Sequence, residues 1–320
     1  MLCLAANPSI DKVAEVESIE MGAIHRLPSI VALPGGKGLN VARAAALLGA
    51  EVTAVVLAAG HAGRWVVEEM AAEGVTVRAA WAAGETRSCL SVHDRSTGRL
   101  TEFYEPGGPI STAEWHVFAR CVREQLEAGL EVMTISGSLP PGAPVNGYQE
   151  LCAAAAEAGI RVLLDSHGDH LVAALEARPY LVKINAEEAA ALVEGGVEGG
   201  EDEDRSVIRA AARLQRSTVG GAVVTRGSAG SIVAIDNACW RVLPAPLDGA
   251  YPVGSGDAFL AGLAIGLERG EDLVAAARRG AAAATANAMQ PGAGRLDALV
   301  VDQLLDRIGA ERIAAEAFLH

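Results

Sequence analysis

Short aliphatic runs alternating with alanine-rich stretches of helical spacing constrain this chain more than any other feature. The runs are "EVTAVVLAA" around Thr53, "VMTISG" around Ile135, "IRVLLDS" around Leu163, "YLVKIN" around Val182 and "GAVVTRG" around Val224. Their lengths and their glycine or proline borders favour strands over buried helices. Between them lie "NVARAAALLGA", "NGYQELCAAAAEAGI" and "AEEAAALVEGG", whose apolar residues recur as on a helix. Strands without polar alternation are covered on both faces, so the pattern predicts an α/β architecture with a parallel sheet between helices. The 320 residues suffice for one large unit of this kind with an appendage.

Two segments break the rhythm. Asp11 to Leu33 and Thr86 to Tyr104 alternate polar and apolar residues, and the second contains the turn-like "RSTG". Both read as antiparallel hairpins with one exposed face, which together could form a small sheet suited to a lid. The acidic stretch Val193 to Ser206 reads as a solvated loop.

A net charge of −14 argues against nucleic acid as a partner, because phosphate-backbone binding needs a basic face. It also requires a few local cations if the substrate is anionic. No apolar run is long enough to span a membrane, and the N-terminus lacks the pattern of a signal peptide. The five cysteines are scattered without a CxxC pair, which fits buried thiols in a reducing cytoplasm.

The stretch "YPVGSGDAFLAGLA" places Gly254, Gly256 and Asp257 directly before an apolar run. Phe259, Leu263 and Leu267 share one stripe, with Gly262 and Gly266 beside it, so a tightly packed helix is expected to start near Asp257. A helix start offers unpaired N–H groups and about half a positive charge, and glycines let a phosphate approach them. A carboxylate there cannot be the anion binder. It suits a base that takes a proton from a hydroxyl attacking a bound phosphoryl group. An N-cap aspartate after a glycine turn would give the same local pattern.

"LPGGKGLNVARAAALLG" repeats the arrangement, with Lys37 among the glycines and Asn40 in the first helical turn. Its glycine spacing is not that of a Walker A loop. "SGSLPPG", "KINAEE" and "TRGSAG" each follow a predicted strand. Ligands of open α/β sheets bind beyond the carboxyl ends of strands, so Ser138, Asn185, Glu188, Thr225 and Gly227 share one rim. Taken alone, "KINAEE" reads equally well as a helix cap with Glu in the first turn.

"NPSIDK", "PGGKGLNVARA", "SGSLPPG", "KINAEE" and "VGSGD" occur in the order found in the ribokinase-like (PfkB) carbohydrate kinases, and the chain resembles that family from about Asn7 to Gly294. "NPSID", the Arg after Thr in "ETRS", and "SGSLPPG" are most similar to the branch acting on sugar phosphates: 1-phosphofructokinase, tagatose-6-phosphate kinase and the minor 6-phosphofructokinase. The resemblance implies a single ribokinase-like domain over residues 1–320: a three-layer sandwich, a mostly parallel central sheet, and a β lid from about 11–34 and 86–105.

It also implies roles. Asp257 would be the catalytic base, with Gly254, Ser255 and Gly256 as its anion hole. Asp11 would hold sugar hydroxyls, and Gly36, Lys37, Asn40 and Ser138 would line the sugar-phosphate pocket. Arg87 resembles the lid arginine that grips the substrate's own phosphate. Lys183, Thr225 and Gly227 would belong to the ATP site, and Asn185 with Glu188 would act on Mg²⁺ through water. Ser255 stands where Ala is commoner, and Ile184 where Pro is usual. "SCLSVHD" after Arg87 is unusual for this branch; its His93 reads as an exposed strand residue rather than a ligand. The implied reaction moves the γ-phosphate of ATP to fructose 1-phosphate, fructose 6-phosphate or tagatose 6-phosphate. Exposed lid edges fit a homodimer. A kinase for an unphosphorylated sugar or nucleoside is the alternative within the enzyme class, and a non-catalytic sugar-phosphate sensor is the alternative outside it.

Overall fold

Leu2 and Leu4 pack into one hydrophobic core while Cys3 and Ala5 pack into another, so the chain's first strand is buried on both faces. The computed structural model describes residues 1–192, 203–245 and 251–313. Its strands are β1 (Leu2–Ala5), β2 (Ser9–Val16), β3 (Ile30–Gly35), β4 (Thr53–Ala59), β5 (Thr76–Ala82), β6 (Arg87–Asp94), β7 (Arg99–Tyr104), β8 (Val132–Ser136), β9 (Arg161–Asp165), β10 (Leu181–Asn185), β11 (Gly221–Thr225), β12 (Ser231–Ile235), β13 (Ala238–Val242) and β14 (Ala310–Arg312). Its helices are α1 (Lys37–Leu47), α2 (Gly60–Ala72), α3 (Thr112–Leu126), α4 (Gly147–Glu157), α5 (Gly168–Leu175), α6 (Ala186–Leu192), α7 (Glu203–Gln215), α8 (Ser255–Glu268), α9 (Leu273–Ala288) and α10 (Ala298–Leu305).

The larger sheet runs in the order β14-β13-β12-β11-β10-β9-β8-β1-β4-β5. Strands from β5 to β11 are parallel, and β12 to β14 extend the sheet antiparallel. One core joins this sheet to α1, α2, α8, α9 and α10, and the other joins it to α3 through α7. Helices thus cover both faces, as the unalternating apolar runs require. Asp236 and Asn237 link β12 to β13 with φ of 50° and 58°, the twist of a two-residue hairpin. The cysteines are free, four buried and Cys121 half-buried. Among the described residues no helix is long and apolar enough to cross a membrane.

The two expected hairpins are β2–β3 and β6–β7, and they share one four-stranded sheet in the order β3-β2-β6-β7. The seam between them, β2 against β6, is parallel. Ile30, Val31, Leu100 and Phe103 are exposed on the two edge strands. One expectation needs correction. Of the acidic stretch Val193 to Ser206, residues 193–202 lie outside the described residues, but Glu203 to Ser206 begin α7 rather than a loop.

Candidate active site

The chain enters α8 through Gly254, whose φ of 80° is left-handed. A Cβ there would lie 2.5 Å from Ala293 Cα, so glycine serves the backbone path and the packing rather than clearing space for an anion. At Gly256 a Cβ would stand 3.0 Å from Lys183 Nζ, so glycine lets that ammonium approach the helix start. The N–H of Ser255 donates to Pro252 O at 3.1 Å and that of Asp257 to Gly254 O at 3.1 Å. Among the described residues the Gly256 N–H has no acceptor. Of the three residues expected to form an anion hole, Gly256 presents a free N–H, with Lys183 beside it.

Asp257 is the third residue of α8, which starts two positions before it, at Ser255. Gly254 holds the N-cap position without any side-chain bond, so the N-cap reading of Asp257 falls away. Its Oδ2 instead accepts from Asn40 Nδ2 at 2.9 Å, joining α8 to α1. The carboxyl is 6% exposed. Burial, and then repulsion from Asp165, raise its pKa to about 6 against the pull of Lys37, Lys183 and Asn40.

Asp165, at the end of β9, was not foreseen. It is fully buried and accepts from Lys37 Nζ at 2.9 Å and Lys183 Nζ at 2.6 Å. Burial opposes its charge, yet the two ammonium groups hold its carboxyl below the usual range. Lys37 also reaches Glu188 Oε1 at 3.2 Å. Burial works against the Lys37 ammonium, but Asp165, Glu188 and Asp257 outweigh it and hold the pKa above that of an ordinary lysine. The strand-end rule that singled out Ser138 applies equally to "VLLDS" and would have found Asp165.

The small sheet turns one face toward this cluster. Register pairs Ser9 with Arg87 and Asp11 with Cys89 across the parallel seam, and Cys89 with Tyr104 on the far side. All five line a cleft of about 1140 Å³ that also reaches Gly36, Lys37, Asn40, Ser138 and Gly254 to Asp257. Asp11 accepts from Ser9 Oγ at 2.6 Å, and Ser138 Oγ accepts from Asn7 Nδ2 at 3.1 Å. Arg87 donates only to the carbonyls of Asn7 and Glu105, at 3.3 and 3.4 Å, and its buried Nε has no partner. It has no carboxylate partner among the described residues. His93 is half-buried beside Glu15 at 3.4 Å and does not line the cleft.

At its other end the cleft is lined by Lys183, Asn185, Thr225, Gly227, Ala245, Ala284 and Thr285. Glu188 does not line it. Asn185 Oδ1 accepts from Glu188 N at 2.7 Å and Glu188 Oε2 accepts from Asn185 N at 2.9 Å, so "KINAEE" is a reciprocal helix cap at the start of α6. Glu188 spends its remaining oxygen on Lys37. Among the described residues no group of three or more His, Cys, Asp or Glu is placed to hold a metal ion.

A family model described as pfkB family carbohydrate kinase matches residues 4–298. The ATP-dependent 6-phosphofructokinase isozyme 2 of Escherichia coli (strain K12) is 34% identical over 291 residues, 90% of this chain and 92% of that protein. The 1-phosphofructokinase of Xanthomonas campestris pv. campestris is 36% identical over 273 residues, 83% of each. Among solved structures, phosphofructokinase-2 from Escherichia coli in complex with potassium matches with a TM-score of 0.86 at 31% identity, covering 96% of this chain and 98% of that one.

Proposed function

Because this chain belongs to the PfkB family of carbohydrate kinases and is an ATP-dependent phosphotransferase, we propose that it phosphorylates a primary hydroxyl of a ketohexose phosphate with Asp257 as the base. The observation that carries this reading is the Asp257 carboxylate, which is buried, faces the cleft, is aimed by Asn40 and has a pKa raised to about 6. Such a group is ionised at neutral pH and is a stronger base than an ordinary carboxylate. It takes the hydroxyl proton as that oxygen bonds to the γ-phosphorus, while the bond from phosphorus to the β-γ bridging oxygen breaks and ADP leaves. The transition state is loose, so the proton need only transfer late. Gly256 N–H and the Lys183 ammonium face the charge that develops.

The acceptor's own phosphate falls to Arg87. Lys37 lines the cleft, but Asp165 and Glu188 already hold its ammonium, whereas Arg87 retains open donors in a fork suited to phosphate. Asp11 and Ser138 line the cleft and are polar groups suited to sugar hydroxyls. The relatives, a 6-phosphofructokinase and a 1-phosphofructokinase, support a phosphorylated ketohexose over a free sugar or nucleoside. Lys183, Asn185, Thr225 and Gly227 would receive ATP. Asn185 and Glu188 already bond each other, so they fit Mg²⁺ only through water; bound to the nucleotide phosphates, the ion would neutralise their charge. The exposed edge residues Ile30, Val31, Leu100 and Phe103 support a homodimer through the small sheet.

An ADP-release assay on fructose 1-phosphate, fructose 6-phosphate, tagatose 6-phosphate and their unphosphorylated sugars tests the reading. Arg87→Ala is expected to raise KM for the phosphosugar by on the order of 10- to 100-fold, the worth of a charge-assisted hydrogen bond. An unchanged KM for every phosphosugar would return the free-sugar kinase as the better reading.

A further inference from the structure

Arg43 lies on α1, one turn after Asn40, and is 2% exposed. Its own helix and three other segments receive its guanidinium. Nη1 donates to Asn40 Oδ1 at 3.2 Å and to Ala293 O at 3.0 Å. Nη2 donates to Pro34 O at 2.6 Å, and Nε pairs with Glu73 Oε2 at 2.7 Å. A guanidinium carries donors only. The Asn40 atom facing it is therefore the oxygen, which leaves the amide NH₂ for Asp257 Oδ2. Two of the remaining contacts border the same site. Pro34 lies in β3 of the small sheet, and Ala293 is the residue against which Gly254 packs.

We propose that Arg43 is a positioning residue for phosphoryl transfer: it locks the Asn40 amide with its NH₂ toward Asp257 and so holds the base in its working orientation. The inference rests on the reading of Asp257 as that base. Without Arg43 the amide is free to turn over and present its oxygen to the carboxylate. A bond that favours the charged form is then replaced by a repulsion, and Asp257 keeps its proton to higher pH. Asp165 from β9, Lys37 from α1 and Lys183 from β10 also face Asp257 and are untouched by the substitution. Around Arg43 itself stand Glu73, Asp11 and Arg295.

The test compares kcat against pH for the wild type, Arg43→Met, Asn40→Ala and their double variant, with Asp257→Asn alongside. Arg43→Met is expected to lower kcat by on the order of 10- to 100-fold through misplacement of the base. Its acid limb should move to higher pH, while KM for ATP changes by less than about twofold. In the Asn40→Ala background the substitution should add nothing, because no amide remains to be locked. If Arg43→Met does not fold, Arg43→Lys, which keeps the charge and loses the fork, carries the same comparison. Losses that multiply in the double variant, or an acid limb that stays in place, overturn the proposal. Near-normal turnover by Asp257→Asn overturns the base reading on its own, whatever Arg43 does.

Discussion

Replacing Asp257 by Asn should make the protein more stable while making it nearly inactive. The pKa of the folded carboxyl is raised from 3.8 to about 6, chiefly by burial and next by Asp165. Between those two values the folded state binds a proton that the unfolded state has already released. Stability contributed by this residue is therefore present at low pH and is lost as pH rises through the window. The shift is about 2 units, and at about 1.4 kcal/mol per unit the ionised carboxylate costs the fold about 3 kcal/mol above pH 6. Asparagine removes the charge, keeps the shape, and leaves an amide oxygen to accept from Asn40. Urea unfolding at pH 8 should give Asp257→Asn an advantage of up to about 3 kcal/mol that shrinks toward zero near pH 4, with kcat reduced at least ~10²-fold. A variant no more stable than the wild type at pH 8, or an advantage independent of pH, would refute the burial argument.

Three further outcomes follow from the same geometry. In the wild type, kcat should fall as pH drops through about 6 and Asp257 takes up its proton; a limb placed near pH 4 would mean an ordinary, hydrated carboxylate. Gly254→Ala must hold a left-handed φ of 80° and force Ala293 away, which should cost about 2–5 kcal/mol in denaturant unfolding; a loss below ~1 kcal/mol would show that the turn yields readily. Ile30→Glu combined with Phe103→Glu places charges on the exposed edges of the small sheet and should give a monomer by sedimentation where the wild type gives a dimer. A wild-type monomer would remove that part of the proposal.

The body of the fold was legible because strands covered on both faces lose their polar alternation, and all five aliphatic runs form such strands. The opening strand Leu2–Ala5 passed unnoticed: four residues with no turn before them carry too little pattern. The two hairpins were legible from alternation, but the parallel pairing of β2 with β6 was not, since nothing within either segment encodes its partner. Asp257 and Asn40 could be named from local context, and Arg87 only from the family resemblance. Asp165 sat in plain view at a strand end. Arg43 could not be read at all, because a single arginine on an alanine-rich helix looks like a solvated side chain until Pro34, Glu73 and Ala293 are brought around it. The packing of Gly254 against Ala293 was not legible, because it joins residues far apart in the chain.

The parallel seam of the small sheet has a consequence for how such a chain could change its acceptor. Ser9, Asp11, Arg87, Cys89 and Tyr104 occupy neighbouring register positions on one sheet, while Asp257, Asp165 and Lys183 belong to the separate layered body. If the proposed roles of Asp11 and Arg87 hold, the spacing between the group that takes sugar hydroxyls and the group that takes phosphate is set by register within this sheet. Substitutions there would alter which molecule is admitted without disturbing the atoms that transfer the phosphoryl group, so selectivity and chemistry can diverge along independent lines.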